Sequence, residues 1–158
     1  MKAQTFKFST FEVRVQRVQE CPGSLKIDTP EYAASYWKEK LPSATWFDPE
    51  REMVIAVMLN TRLVATGHSL VSIGSINESV VHPREVFRAA VATGAYGVVL
   101  MHNHPSGDPS PSEADRRVTI RLREAGDILG IRLIDHVIVG DPQVDTRGHF
   151  SFREAGLL

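Results

Sequence analysis

The stretch 101-MHNHPSGDPSPSEAD-115 sets His102 and His104 directly after the apolar run 97-GVVLM-101 and follows them with Ser112 and Asp115 where a helical pattern begins. Side chains of an extended segment alternate, so Val98, Leu100, His102 and His104 fall on one side while extension persists. Pro105 supports this, because the residue before a proline is pushed out of the helical region. Asp115 lies three residues before Val118 and three after Ser112, which puts both polar groups on the inward stripe of the helix. A carboxylate aimed at a core needs a partner. Two neutral imidazoles and one inward carboxylate supply three ligands and leave a fourth position open, the pattern of a catalytic rather than a structural zinc. Zinc held in this way lowers the pKa of water and polarises a carbonyl oxygen, which is the chemistry of hydrolysis. The proline-rich connector 105-PSGDPSP-111 restricts the ligands before any metal arrives.

Neighbouring polar residues have plainer readings. Ser112 is either a helix-start hydroxyl or a donor to a developing oxyanion. Asp108, between Gly107 and Pro109, reads as a turn residue, and Glu113 as a cap residue. His136, in 135-DHVIVG-140, reads as a structural histidine, with the orientation of a ligand as the rival role. The basic run Arg116, Arg117, Arg121 and Arg123 reads as a solvated helix face, since no aromatic platform interleaves it. The letters 102-HNH-104 match a nuclease motif, but such motifs spread over a ββα unit, and here Asn103 points away from both histidines. A zinc deaminase is excluded because no Pro-Cys-x-x-Cys pair exists.

The elements that must hold these groups follow from periodicity. Residues 4–18 alternate apolar and polar as one or two half-exposed strands. The segment 28–41 carries a helix start at Thr29, with Pro30 at the first helical position, and ends at Pro42. The run 52-EMVIAVMLN-60 is apolar almost throughout, as a strand covered on both faces would be, and 62–71 reads as its neighbour. A second helix opens near 82-HPREVF-87 and stops at Gly94. A third opens at 110-SPSE-113, where Ser110 as N-cap, Pro111 and Glu113 make a capping box. Its inward stripe runs through Val118, Leu122, Ala125 and Leu129. Residues 131–140 and 148–151 supply the last strands, the second at an edge. Helices interleaved with apolar strands give an α/β sandwich around one sheet.

With 158 residues, the chain is long enough for one core and too short for two full domains. The formal net charge of −1 gives no bulk electrostatic reason to seek nucleic acid or an anionic membrane. The single cysteine, Cys21, can form neither an internal disulfide nor a multi-cysteine zinc site, and reads as a bystander thiol in a turn. No secretory h-region and no run long enough to span a bilayer is present, so a cytoplasmic location is expected.

His102, His104, Pro105, Ser112 and Asp115 reproduce the motif His-x-His-Pro-x6-Ser-x2-Asp, and the chain resembles the JAMM/MPN+ metallopeptidases. The stretches 81-VHPREVFRAAV-91, 101–115 and 135-DHVIVGD-141 are similar to the RadC branch of that family, from about Glu52 to Leu158. The resemblance implies a mixed sheet flanked by helices, related to the cytidine deaminase fold. It divides the chain into an N-terminal extension, 1–45, and a RadC-like JAMM/MPN catalytic domain, 46–158. It implies one zinc per chain on His102, His104 and Asp115, and cleavage of a peptide or isopeptide bond, with ubiquitin-like proteins among the candidate substrates. It also implies a glutamate at the start of an upstream apolar strand as general base; Glu52 matches, with Glu50 close by. Residues 1–45 do not match the helix-hairpin-helix region that precedes this domain in full-length RadC proteins, and no ubiquitin-binding insertion is recognisable. A DNA-associated nuclease or repair protein and a non-catalytic interaction module are the alternative readings. The approach to the zinc is expected to be a groove at the end of the sheet.

Overall fold

The run after Glu52 forms a strand, β1 (Met53–Leu59), in which every residue is buried. In the computed structural model, which describes residues 25–74 and 81–158, the reason is position. Strand β1 lies between β2 (Ala65–Ile73) and β3 (Gly97–Asn103), and beyond these come β4 (Arg132–Val139) and β5 (His149–Ser151), in the order β2-β1-β3-β4-β5. The pairings are antiparallel except β3 with β4, so the sheet is mixed. A parallel pair cannot be joined by a tight turn. The crossover from β3 to β4 is made by helix α3 (Glu113–Leu129), while α2 (Pro83–Thr93) joins β2 to β3. The alternating segment 4–18 and the turn at Cys21 lie outside the described residues.

Period-two alternation divides β1 and β3 between two layers. Val54, Ala56, Met58, Val98 and Leu100 pack with Val86, Phe87 and Ala90 of α2 and with Val118 and Leu122 of α3. Met53, Ile55, Val57, Leu59, Val99 and Met101 pack on the opposite face with Ala33, Tyr36, Trp37 and Leu41, from helix α1 (Pro30–Lys40) and its C-cap. Among the described residues the result is one α/β domain, a five-stranded mixed sheet flanked by three helices. Strand β3 turns Val98, Leu100 and His102 toward α3, as its parity requires. Strand β5, three residues long, forms one edge. Among the described residues no helix is long and apolar enough to cross a membrane.

Helix caps follow local chemistry. Thr29 accepts from the Tyr32 N–H ahead of Pro30, and Gly94 closes α2 at φ 64°, a conformation glycine adopts without steric cost. The start of α3 corrects the sequence reading. Its N-cap is Ser112, not Ser110, and the capping box is closed by Asp115, not Glu113. Ser110 is already committed to a turn, its N–H donating to Asp108 Oδ1 at 2.9 Å. Leu129 is also displaced from the expected stripe and is 48% exposed, because the helix meets the sheet through Gly126 instead.

At Gly126 an added Cβ would stand 2.5 Å from the Ile131 carbonyl oxygen and 3.2 Å from Phe87 Cζ. Gly126→Ala therefore sets a helix-propensity gain of about 1 kcal/mol against a clash with backbone. A net loss of about 1–3 kcal/mol is expected on chemical denaturation. A stabilised variant would show that α3 can slide.

A candidate metal centre at the end of β3

His102 is fully buried at the end of β3, and its Nε2 lies 3.1 Å from Nε2 of His104. The Asp115 carboxylate reaches the same point from the first turn of α3, 3.3 Å from His102 Nε2 and 3.7 Å from His104 Nε2. Glu52, immediately before β1, joins from the other side. Ligand atoms of Glu52, His102 and His104 all lie within 4.8 Å of one another, so these three could hold a metal ion. Four residues from three separate stretches of sequence thus meet where β1, β3 and α3 end or begin.

The directions of the surrounding hydrogen bonds decide what this cluster can bind. His104 Nδ1 lies 2.7 Å from the Asp108 carbonyl, which only accepts, so in a neutral ring the proton sits on Nδ1 and Nε2 is bare. Thr119 Oγ1 donates its one proton to the Asp115 carbonyl at 2.7 Å and must accept from His136 Nδ1, also at 2.7 Å. His136 Nε2 is then an acceptor, and His102 Nδ1 donates to it across 2.9 Å. His102 Nε2 is left bare as well. Two lone pairs and a carboxylate therefore face one another with no donor between them. Asp115 Oδ1, although buried, has no hydrogen-bond partner. Buried acceptors arranged in this way are costly unless a cation stands among them, and imidazole nitrogens with carboxylate oxygens are a suitable set for a divalent metal.

Protonation equilibria follow from the same geometry. Burial pushes His102 well below its usual range, reinforced by the neighbouring His136. Burial lowers His136 to about 4, which keeps it neutral as the hydrogen-bond directions require. Burial works against ionisation of Asp115, but the neighbouring His104 and His102 imidazoles and the hydrogen bonds from Ser112 outweigh it, so the carboxylate stays below its usual range. The Asp115 carboxylate beside it raises His104, because a proton taken up on Nε2 would face that negative charge. A proton on His104 can thus do in part what a cation would do, and metal must compete with it.

The sequence-predicted residues fare differently. His102, His104, Asp115 and Glu52 converge. Ser112 is adjacent, but its hydroxyl donates to Asp115 Oδ2 at 2.6 Å and accepts from the Asp115 N–H at 3.2 Å, so in this structure it caps the helix and holds the carboxylate. Glu113 faces solvent and pairs with Arg116 at 3.4 Å. Glu50 lies in the exposed turn that Asp48 caps. Asp108 is a turn residue, and its carbonyl also orients His104. An open cleft beside β5, lined by Arg147, His149 and Glu154 among others, contains none of the clustered groups.

Asn103 points away from both histidines, as its parity requires, and has a task of its own. Its Oδ1 accepts from Met53 N–H at 2.9 Å, and its Nδ2 donates to the carbonyls of Pro49 at 3.2 Å and Arg51 at 3.1 Å. The residue between the two histidines therefore staples the backbone on both sides of Glu52 to the same strand. No spacing rule reveals such a contact fifty residues away in sequence. Asn103→Ala leaves the buried Met53 N–H unsatisfied, and a loss of about 1–3 kcal/mol in denaturant unfolding is expected. A loss below about 0.5 kcal/mol, the range of an ordinary surface substitution, would show the staple to be redundant.

Known proteins share this chain's pattern. The family described as the RadC-like JAB domain matches residues 27–157. A UPF0758 protein of Thermotoga maritima is 50% identical over 109 residues, covering 69% of this chain and 47% of that protein. A UPF0758 protein of Geobacter sulfurreducens is 51% identical over 112 residues, covering 70% and 46%, and one of Chlorobaculum tepidum 40% over 135 residues, covering 85% and 56%. The chain spans about half the length of the curated relatives it matches.

Proposed function

Since the chain belongs to the family of RadC-like JAB domains, we propose that it is a zinc-dependent hydrolase of peptide or isopeptide bonds, with His102, His104 and Asp115 as the metal ligands. The observation that carries this reading is the convergence of two imidazole Nε2 atoms on the Asp115 carboxylate, whose buried Oδ1 has no hydrogen-bond partner. Zinc at that point supplies a Lewis acid that polarises the scissile carbonyl and lowers the pKa of water.

The protein's own groups do the rest. Glu52, beside the histidines but just ahead of β1, takes a proton from the attacking water and returns it to the leaving amine. Asn103 holds the backbone flanking Glu52 and so fixes the distance over which that proton moves. Asp115 is held by Ser112 through both the backbone N–H, at 2.8 Å, and the hydroxyl. In the reacting complex the Ser112 hydroxyl turns from Asp115 to the developing oxyanion. Ser112→Ala is expected to lower turnover about 10- to 1,000-fold, as for one lost oxyanion donor, with zinc retained. It should also cost about 1 kcal/mol of stability through the lost cap. Loss of zinc in step with activity would show that the hydroxyl serves only to hold Asp115.

The substrate class is tested directly. Zinc-loaded protein is incubated with peptides, ubiquitin-like fusions, DNA and RNA, with the Glu52→Gln variant as the blank. Amide cleavage present in the wild type and absent from the blank is expected. Nuclease activity that vanishes in the blank, without amide cleavage, would overturn the peptidase reading and leave the metal centre standing.

A further inference from the structure

Beyond the four clustered residues, two buried polar side chains, Thr119 and His136, face the site and have no part in the chemistry above. We propose that they are positioning residues that lock His102 in the tautomer whose Nε2 lone pair is offered to the metal; this rests on the metal-centre reading. His136 is fully buried, stacked at 4.7 Å on Phe152 with ring planes 9° apart, and its backbone N–H is taken by Asp135 Oδ1. An apolar ring would pack in that position without exposing two nitrogens to a dry interior. Both nitrogens are instead used, each in one direction only.

The chain starts from the Asp115 carbonyl, which accepts from Thr119, and proceeds through His136 to His102. It ends where it began, because His102 Nε2 faces the carboxylate of the same Asp115. Helix α3, β4 and β3 are thereby closed into one ring of polar contacts. Thr119 sits one turn after Asp115 on α3, and His136 pairs with Leu100, two residues before His102. Sliding any of the three elements breaks a link. The direction of the whole chain is set at its far end, by a threonine proton committed to a backbone carbonyl that can only accept. Without that commitment His136 is free to carry its proton on Nε2, which moves the His102 proton to its own Nε2 and closes the ligand position.

The test uses the full chain with labelled histidines. Nitrogen shifts of the metal-free wild type should show His102 and His136 protonated on Nδ1, and zinc affinity is measured by competition with a chelator. Thr119→Val keeps the shape and removes the hydroxyl. It should move the His102 proton to Nε2 and weaken zinc about 10- to 100-fold, the range for groups that orient a metal ligand. Thr119→Ser should restore both the tautomer and the affinity. His136→Phe, which preserves the stack on Phe152, should weaken zinc similarly and provides a second route if the valine variant does not fold. Unchanged tautomer and affinity in Thr119→Val, or a serine variant as impaired as the valine one, would overturn the lock. The shifts are read without metal, so a wild type that binds no zinc would refute the metal centre while the lock is still decided by the nitrogen spectra.

Discussion

Replacing Glu52 with Gln is expected to leave zinc bound and to lower turnover by about 10²- to 10⁴-fold, the range for loss of a positioned general base. The amide has nearly the shape of the carboxylate and can still accept a hydrogen bond, so the segment ahead of β1 should keep its place. What it loses is the ability to take up a proton. The geometry makes this experiment sharper than usual, because the Glu52 carboxylate lies close enough to both histidines to act as a ligand itself. The two roles predict different metal contents. Zinc measured by elemental analysis should remain at one per chain if Glu52 moves protons. A fall in zinc parallel to the fall in rate would make Glu52 a ligand, and full activity would move the base to Glu50 or elsewhere.

His104→Ala should abolish activity by removing zinc, with affinity lowered by more than the roughly 100-fold that groups orienting a ligand command. The fold should persist. His104 lies beyond the end of β3, it is partly exposed, and both core clusters are complete without it. Wild-type protein should gain thermal stability as zinc is added, by about 2.7 kcal/mol at a concentration of 100 Kd, and the variant should gain none. His102→Ala makes the useful contrast. It also leaves buried His136 Nε2 without its donor, so it should cost about 1–3 kcal/mol even without metal. A metal-free wild type that fails to take up zinc would remove the foundation of the hydrolase reading. Equal zinc binding by wild type and His104→Ala would place the centre elsewhere.

Much of the site is readable in the sequence because its rules are local. Alternation along a strand puts His102 on the side of Leu100, and helical periodicity puts Asp115 on the side of Val118. Both hold in the folded chain, since they depend only on the geometry of three or four consecutive residues. The all-apolar 53-MVIAVML-59 announces a strand covered on both faces, and the sheet places it in the interior. Resemblance to a family also singled out Glu52, which the fold brings beside the two histidines. The cap of α3 was less well determined. The stretch 110-SPSEAD-115 offers two capping solutions of nearly equal local merit, and the choice between them is made by Asp115, whose buried carboxylate accepts from Ser112 while Ser110 is held by Asp108.

Only the tertiary structure decides which distant groups meet. The parallel pairing of β3 with β4 brings His136 to His102 across thirty-four residues, and the antiparallel pairing of β1 with β3 brings Asn103 to the backbone on either side of Glu52. Neither contact has a spacing that a reader of the sequence could recognise, because strand order is settled by how the two hydrophobic faces are covered, not by the residues at the strand ends. The sequence by itself determined which way His102 and Asp115 point, since that depends only on the local period of a strand and a helix. The closed fold decided which polar side chains meet around those residues, since the contacts joining Asp115, Thr119, His136 and His102 cross three elements that are distant in sequence.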